Sequence, residues 1–411
     1  MISNKKSSNS ALLLLLLLVL PVQSFHLYFV LSFLLIALFT INVKMCWSTQ
    51  AKYIALFIVY YFITSSFRFF STLEPNIRDF FDIVRFIPLL YLMLKKNYFK
   101  DLSYDSIVKA CFIYLIIDGT VTFLQFFGSD YLNIVNIVNS LYTSDGFFES
   151  LDMIRDRRSP GICAQIGQHG AIMMSITVIM LSAIMNKCNL KLMSTVGFVL
   201  SLSIIVVNQS RTSFIAVVVA ISLLAIYYLL FGRYDKKLVI VLIASIVGLV
   251  GVLIFINYED MPFKVGYLYK LSNRNNTLGS LGVRLNKWDQ YPNMVEERIW
   301  WAGVGWGKDY FGNLSASFDN DFVHIFFVYG PVILILLIVS LIYYIFKTLR
   351  SSKKFVSRNF EMSFFFVLMG GIVVAFGASF VMYPQIIYIL FFLYCGSYWE
   401  NMAILAPSKG K

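Results

Sequence analysis

Long apolar segments alternate with short polar ones along the chain, and their lengths indicate helices that cross a membrane. The pattern predicts twelve spans with these approximate bounds: 8–23, 25–42, 52–67, 80–94, 107–127, 169–186, 192–208, 212–231, 238–256, 322–346, 362–381 and 384–401. A spanning helix needs about 20 mostly apolar residues, and several segments are shorter than this. With mean hydropathy +0.74 and 59% hydrophobic residues, the chain has more apolar surface than one soluble core can bury. We therefore expect an all-α polytopic membrane protein.

Two polar connections are long, residues 128–168 and 257–321, and both fall on the same predicted side of the membrane. Long ordered loops usually carry function. Because no linker, repeat or soluble domain interrupts the pattern, we expect a single membrane domain over residues 1–411. The segment from Ala11 to Leu20 also fits a secretory signal with Ser24 as a cleavage residue, but an uncleaved first span is favoured.

Lysine and arginine separate once the spans are threaded through the membrane. With Lys5 and Lys6 in the cytoplasm, that side holds 17 Lys and 3 Arg, whereas the outer side and the spans hold 10 Arg and 4 Lys. Lysine therefore satisfies the positive-inside rule, which places both termini in the cytoplasm. The planar guanidinium binds phosphate oxygens in pairs, so the outer arginines predict anion binding. Chance scatter over two long loops is the alternative.

The remaining composition excludes several classes of site. The net charge of +12 reflects topology and affinity for membrane lipids, and nothing in the sequence suggests nucleic acid. Only Cys163 of the five cysteines lies in an outer loop, so no structural disulfide is expected. Three histidines without a Cys/His cluster predict no metal site, and no cofactor motif is present.

The first long loop ends in a basic segment with a turn after it, at Arg157, Arg158 and Gly161. The glycine allows a close backbone approach to a ligand. Arginines paired with neighbouring aspartates on a solvated turn are the alternative. A second outer turn, residues 208–213, places Arg211 at a helix start, where it can share an anion with free N–H groups or simply reach the membrane interface.

Asp79, Asp82 and Arg85 recur three residues apart on one face of the fourth predicted span. They predict a contact with protein or a water-filled cavity, or an ion pair that orients helices.

The second long loop holds the densest set of candidate residues. They are Arg274, Arg284, Trp288, Arg298, Gly303, Gly305, Asp319, Asn320, Asp321 and His324. Tryptophans and glycines here suggest a surface on which sugar rings stack. The alternative is that these tryptophans lie at the membrane interface, where tryptophan is common. Asp321 and His324, three residues apart on a helix, predict a base and its partner. Asp319 or Asn320 is also expected to cap that helix.

Three stretches in this order resemble the O-antigen polymerase and O-antigen ligase superfamily. They are Arg158 to Gly161, Ser210 to Thr212, and Arg284 with Trp288 leading through Gly305 to Asp319, Asn320 and Gly330. The resemblance implies a fold like the membrane-embedded glycosyltransferases of the GT-C kind, with about twelve transmembrane helices and two long periplasmic loops. It also implies a bacterial inner-membrane protein whose active site faces the periplasm.

In the ligase branch a histidine stands where this chain has Asp319, and that departure favours the polymerase branch. The resemblance then implies joining of oligosaccharide repeat units carried on undecaprenyl diphosphate, with Arg211, Arg284 and Arg158 on the pyrophosphate. Asp319, Asp321 or His324 would accept a proton. A chain-length regulator is an expected partner, and an O-antigen ligase or a lipid-linked oligosaccharide flippase are the alternatives.

Overall fold

The computed structural model describes residues 2–21, 25–71, 80, 82–127, 141–142, 159–163, 165–186, 188–231, 244, 248, 300–305, 320–350, 359–377, 380 and 383–405. This part of the chain is helical and contains no strand.

Twelve α-helices account for most of the described residues. In chain order they are α1 Ile2–Val19, α2 Phe25–Thr40, α3 Thr49–Ser71, α4 Phe86–Leu94, α5 Tyr104–Phe127, α6 Ile166–Met185, α7 Lys191–Asn208, α8 Arg211–Phe231, α9 Asp321–Tyr329, α10 Pro331–Arg350, α11 Asn359–Gly377 and α12 Pro384–Leu405. Short 3-10 turns at Asp82–Arg85, Lys96–Asp101 and Trp300–Ala302 join them.

The helices follow the predicted apolar segments closely, with one break. The segment predicted at 238–256 lies outside the described residues apart from positions 244 and 248. The segment at 322–346, predicted as one helix, forms α9 and α10 with a break at Gly330. Gly330 has φ 87°, a conformation that glycine adopts readily, and the following Pro331 has no N–H to continue the helix. The single-helix prediction is therefore wrong here.

Seven of these helices, α3, α5, α6, α7, α8, α10 and α11, are long and apolar enough to cross a membrane. Three shorter apolar helices cover Ser7–Val19, Leu27–Thr40 and Ile83–Leu94. The prediction of an all-α polytopic membrane protein is thus confirmed at this level. The number of twelve spans and the GT-C likeness stay predictions.

Helix α6 forms the centre of the bundle. In its apolar window 94% of the residues are buried, compared with 6% in α10 at the periphery. Helices α5, α7, α8, α11 and α12 pack around it. Small residues such as Gly170 and Ala171 on α6 allow neighbouring backbones to approach closely.

A smaller aromatic unit packs beside this bundle. Tyr61 of α3 and Tyr329 of α9 have ring centroids 5.2 Å apart, and Phe57 and Phe86 lie against both helices. The unit connects α3 and α4 to the end of α9, which carries candidate residues.

One end of the bundle collects the connections that the charge pattern assigns to the cytoplasm. Ser7 of α1 contacts Ser106 of α5 at 2.7 Å, and Trp399 of α12 donates to the Lys96 carbonyl at 3.1 Å. At the same end, Tyr228 of α8 donates to the Asn186 amide oxygen at 2.6 Å. The described connections therefore alternate between two ends, as a polytopic chain requires.

Candidate functional site

The opposite end of the bundle carries a set of polar side chains, most of which lie at helix ends. We call this set the outer polar layer, and its members are Asp118, His169, Asn208, Arg211, Asn320 and Asp321. All six except Arg211 are buried. They come from five helices or their caps, so the layer is a product of the tertiary fold.

The start of α9 is fixed by two side chains. Asn320 is the N-cap, and its amide oxygen accepts from the Phe322 and Val323 N–H groups at 2.9 and 3.1 Å. Asp321, 1% exposed, accepts from the Phe380 N–H at 2.6 Å. The Asn320 amide also donates to the Phe376 carbonyl at 3.3 Å, which ties α9 to the C-terminal end of α11. The expected cap is therefore present, and Asn320 supplies it.

His324 lies one turn further along α9, on the side of the aromatic unit. Its ring centroid is 6.4 Å from that of Tyr329, and its side chain is buried. The positive charge of Arg85 lies close enough to act on this imidazole. Asp321 thus bonds to the segment just after α11, whereas His324 lies beside Tyr329 and near the charge of Arg85.

Arg211 is the first residue of α8 and is partly exposed. The turn before it is tight: Gln209 has φ 58°, and the Asn208 amide oxygen accepts from the Ser210 N–H at 3.2 Å. The next residue, Thr212, donates to the Gly377 carbonyl at 3.5 Å.

Helices α8 and α9 therefore begin on the same end of α11. Gly377 at that end contacts the residue after Arg211, and Phe376 contacts the residue before Asp321. The Asn320 side chain already accepts two of the N–H groups at the start of α9, and the helix dipole favours an anion near the N-terminal end of either helix. This arrangement brings together two motifs that are 110 positions apart in the sequence.

Asp118 and His169 are buried members of the outer polar layer that the sequence pattern did not identify as candidate site residues. His169 Nε2 lies 2.7 Å from Asp118 Oδ2, and both side chains are 0% exposed. Asp118 Oδ1 also accepts from the Ile162 N–H at 2.9 Å. The signal was present in the sequence, because an aspartate inside the apolar segment 107–127 is expensive in a membrane and marks a functional candidate.

The sequence predicts that Gly161 lets the backbone approach a ligand closely. In the structure, side chains of the protein lie close to this glycine. It has φ 60°, and a Cβ there would lie 2.3 Å from Asp118 Oδ1 and 2.7 Å from His169 Nε2. Its N–H donates to Gln125 Oε1 at 2.8 Å, and its carbonyl accepts from Gln125 Nε2 at 3.1 Å. The glycine thus holds the end of the first long loop against α5.

The glycines of the second loop cap the C-terminal end of α9. The Val304 and Gly305 N–H groups donate to the Phe327 and Val328 carbonyls at 2.6 and 3.2 Å. Gly303 has φ 72°, and a Cβ on it would lie 2.6 Å from the Gly330 nitrogen. These contacts satisfy carbonyls that a helix end leaves open. Gly305, predicted to bind substrate, thus uses its N–H within the protein.

Arg68 of α3 holds the same loop segment. Its guanidinium donates to the Ala302 carbonyl at 2.7 Å and to Ser65 Oγ at 3.0 Å, and lies 5.4 Å from the Tyr61 ring centroid. It is 2% exposed, so this arginine is structural in the described contacts. Arg68 is one of the ten arginines that do not lie on the lysine-rich side of the membrane, and this position could have marked it as a candidate.

Several predicted site residues lie outside the described part of the chain. They are Asp319, Arg157, Arg158, Arg274, Arg284, Trp288 and Arg298, with Asp79. Their roles stay predictions. Within the described ranges, no group of three or more His, Cys, Asp and Glu residues is arranged to hold a metal ion.

Part of the chain matches the model of a known protein family. Residues 196–338 match a family model described as O-antigen ligase. No curated protein sequence matches the chain. The matched range includes the turn before Arg211 and helix α9, and the starts of α8 and α9 both contact the end of α11. The resemblance of this sequence to the O-antigen polymerase and ligase superfamily is therefore confirmed, over residues 196–338.

Proposed function

We propose that this protein is an O-antigen polymerase, a glycosyltransferase that joins oligosaccharide repeat units carried on undecaprenyl diphosphate at the periplasmic face of the bacterial inner membrane. One observation supports it most. Arg211 and Asn320–Asp321, both in the family-matched range, lie at helix starts that meet the same end of α11. Arg211, the proposed anion-binding group, and Asp321, a candidate acid, therefore lie near the same end of α11.

The reaction is a displacement at an anomeric carbon. A sugar hydroxyl of a new lipid-linked repeat attacks the anomeric carbon of the growing chain, and the bond from that carbon to the diphosphate oxygen breaks. Undecaprenyl diphosphate leaves with the bonding electrons, and the hydroxyl proton passes to a base. Because the diphosphate already activates the donor, the reaction needs no nucleotide.

Arg211 is proposed to bind the diphosphate and to stabilise the charge that develops as this bond breaks. A guanidinium holds two phosphate oxygens at once, and the α8 N-terminus adds N–H groups and a favourable dipole. Arg284 and Arg158 are proposed as further anion contacts on sequence grounds. The geometry of the described residues supports Arg211 because it is partly exposed, whereas Arg68 is buried and bonded to protein carbonyl oxygen.

Asp319 is proposed as the proton acceptor. It precedes the Asn320 cap directly, and it replaces the histidine of the ligase branch. Asp321 and His324 are the other candidates. Both are buried, and Asp321 already accepts the Phe380 N–H, which favours Asp319 for contact with a substrate.

Attachment of finished polymer to lipid A core, the ligase reaction, is the second candidate. The description of the matching family model favours it, whereas Asp319 in place of histidine favours polymerisation. The two reactions share the donor and differ in the acceptor. The arrangement around Arg211 serves either one, so the acceptor must be identified by experiment.

A deletion strain separates these functions by its lipopolysaccharide on a gel. The polymerase proposal expects loss of the ladder with one repeat unit retained on the lipid A core. Loss of every repeat unit from the core would refute it and support the ligase. An unchanged ladder would refute both. Complementation with the intact chain is the control that assigns the change to this protein.

A further inference from the structure

Three buried members of the outer polar layer, Asp118, His169 and Asn208, form one continuous set of hydrogen bonds that ends at the turn before Arg211. Asp118 of α5 lies 2.7 Å from His169 Nε2, and His169 Nδ1 lies 2.9 Å from Asn208 Nδ2. The Asn208 amide oxygen then accepts from the Ser210 N–H at 3.2 Å. Asp118, His169, Asn208 and Gln209 are 0% exposed, and Ser210 is 6% exposed. Three helices thus contribute to the position of one turn.

The contacts of Asn208 distinguish its amide nitrogen from its amide oxygen. Its nitrogen faces the Ser159 and Ile166 carbonyl oxygens at 3.1 and 3.3 Å, and its oxygen faces the Ser210 N–H. The nitrogen therefore donates, and it also lies 2.9 Å from His169 Nδ1, which is itself 3.1 Å from the Ser159 carbonyl oxygen. His169 Nε2, on the other side of the ring, lies 2.7 Å from Asp118 Oδ2. The imidazole thus links Asp118 to Asn208.

The turn requires such support because its backbone is unfavourable. Gln209 has φ 58°, in the left-handed region that non-glycine residues adopt only when their surroundings enforce it. Asn208 and Ser210 on either side are held by the contacts above, and Ser210 Oγ lies 2.9 Å from Ser213 Oγ. A Cβ on Gly170 would lie 2.4 Å from Ser213 Oγ, so α6 packs tightly against this segment.

We propose that Asp118, His169 and Asn208 are positioning residues that fix the turn at 208–210 and thereby the direction of the Arg211 guanidinium. The role given to Arg211 rests on the proposed function. The positioning itself rests only on the hydrogen bonds. The histidine acts through Asn208 and Arg211, and its contact with substrate is not required.

Hydrogen exchange measured by mass spectrometry on the full chain tests the positioning without any assay of activity. His169→Phe should increase deuterium uptake in the peptide that covers residues 206–214. The matched control is Thr177→Val, because Thr177 lies on the same helix and its buried hydroxyl contacts Ser201 of α7 at 2.9 Å, away from the turn. The control should leave that peptide unchanged. Equal uptake in both variants and the parent would overturn the proposal, and Asn208→Ser gives the same test if His169→Phe does not accumulate.

A double-mutant cycle on the purified enzyme tests whether the set acts through Arg211. Asn208→Ser should lower kcat/KM for lipid-linked repeat units by roughly 10- to 100-fold, as expected for a misplaced group. In the Arg211→Ala background the same change should cost no more than about twofold, because the group it positions is already gone. His169→Gln, which keeps a donor for Asp118, should retain more activity than His169→Phe.

The two proposals fail in different ways. Equal losses from Asn208→Ser in both backgrounds would show that Asn208 acts independently of Arg211, and would overturn the inference. A protein that makes no glycan polymer but shows the exchange difference at residues 206–214 would refute the proposed function and leave the positioning of the turn supported.

Discussion

Arg211 differs in its exposure from Arg68, another described arginine at this end of the bundle. Arg68 is 2% exposed and donates to the Ala302 carbonyl, so it serves the fold. Arg211 is partly exposed at the start of α8, on a turn that buried side chains hold in place. A turn held by buried side chains, followed by a partly exposed arginine, is the arrangement expected for a preorganised anion contact.

Replacing Arg211 with lysine should damage activity nearly as much as replacing it with alanine. A point charge cannot hold two phosphate oxygens in the fixed geometry of a guanidinium. The measurement is polymer formed from lipid-linked repeats at matched protein level. Lys191→Ala is a matched control, because Lys191 also begins a helix but lies at the opposite end. Near-normal polymer from Arg211→Lys would show that charge alone suffices.

The proton acceptor gives a second prediction for single residues. Asp319→Asn should abolish chain growth in purified enzyme and leave substrate binding intact, because the amide keeps the size of the carboxyl group but is not basic. General base catalysis typically contributes about 10² to 10⁴ in rate. His324→Gln is expected to cost less, since His324 packs beside the aromatic unit. Wild-type rates in both variants would mean that catalysis needs no base from this segment and depends on alignment.

At the scale of elements, the short helix α9 is held at both ends by parts of the chain far away in sequence. At its N-terminal end, Asn320 bonds to the end of α11 and Asp321 bonds to Phe380 just after α11. The segment 303–305 caps its C-terminal end. The loop glycines and Gly330 therefore belong to one packed unit. Their function in the structure is to keep α9, and the candidate acids at its start, in a single position.

Alanine at Gly303 or Gly330 should destabilise this unit and reduce polymer formation. Both glycines have positive φ, 72° and 87°, and an added Cβ would lie 2.6 Å or less from backbone atoms. Backbone strain alone costs about 1–3 kcal/mol. Thermal unfolding in detergent should show a lower Tm for both variants. Gly119→Ala is the control, because its Cβ would meet the flexible side chains of Ile204, at 3.1 Å, and Leu200, at 3.7 Å. An unchanged Tm for Gly303→Ala would contradict the capping role.

For the whole molecule, the described helix ends sort into two groups that agree with the lysine and arginine pattern. Ser7, Lys96, Asn186 and Trp399 meet at one end, and the outer polar layer lies at the other. This sorting is a property of the bundle, and the side that faces the periplasm stays a prediction from the positive-inside rule.

Reporter fusions test that orientation. Fusions at residues 145 and 290 should report the periplasm, and fusions at 100, 235 and 355 the cytoplasm. The expectation follows from the lysine-rich connections. A cytoplasmic signal at 290 would place the second long loop on the wrong side for lipid-linked donors and would contradict the proposed function.

The sequence by itself determined the class of the protein, most of its helices and the end of the bundle at which to look for a site. Apolar runs such as residues 169–186 specify helices because a membrane leaves backbone groups no partner outside the helix. The motif around Arg211 was visible for a similar reason, since a polar turn between two apolar runs must lie at an interface. The break at Gly330 was missed because hydropathy does not report a change of backbone direction.

Tertiary structure alone decided how the polar residues pair. The pairing of Asp118 with His169 depends on α5 and α6 lying side by side, and local pattern carries no information on which helices become neighbours. The same holds for Arg68 and Ala302, 234 positions apart, and for the glycines that cap α9. A buried polar group must find a partner wherever the fold offers one. The sequence could name the polar residues, but only the packed bundle assigned each of them to a contact.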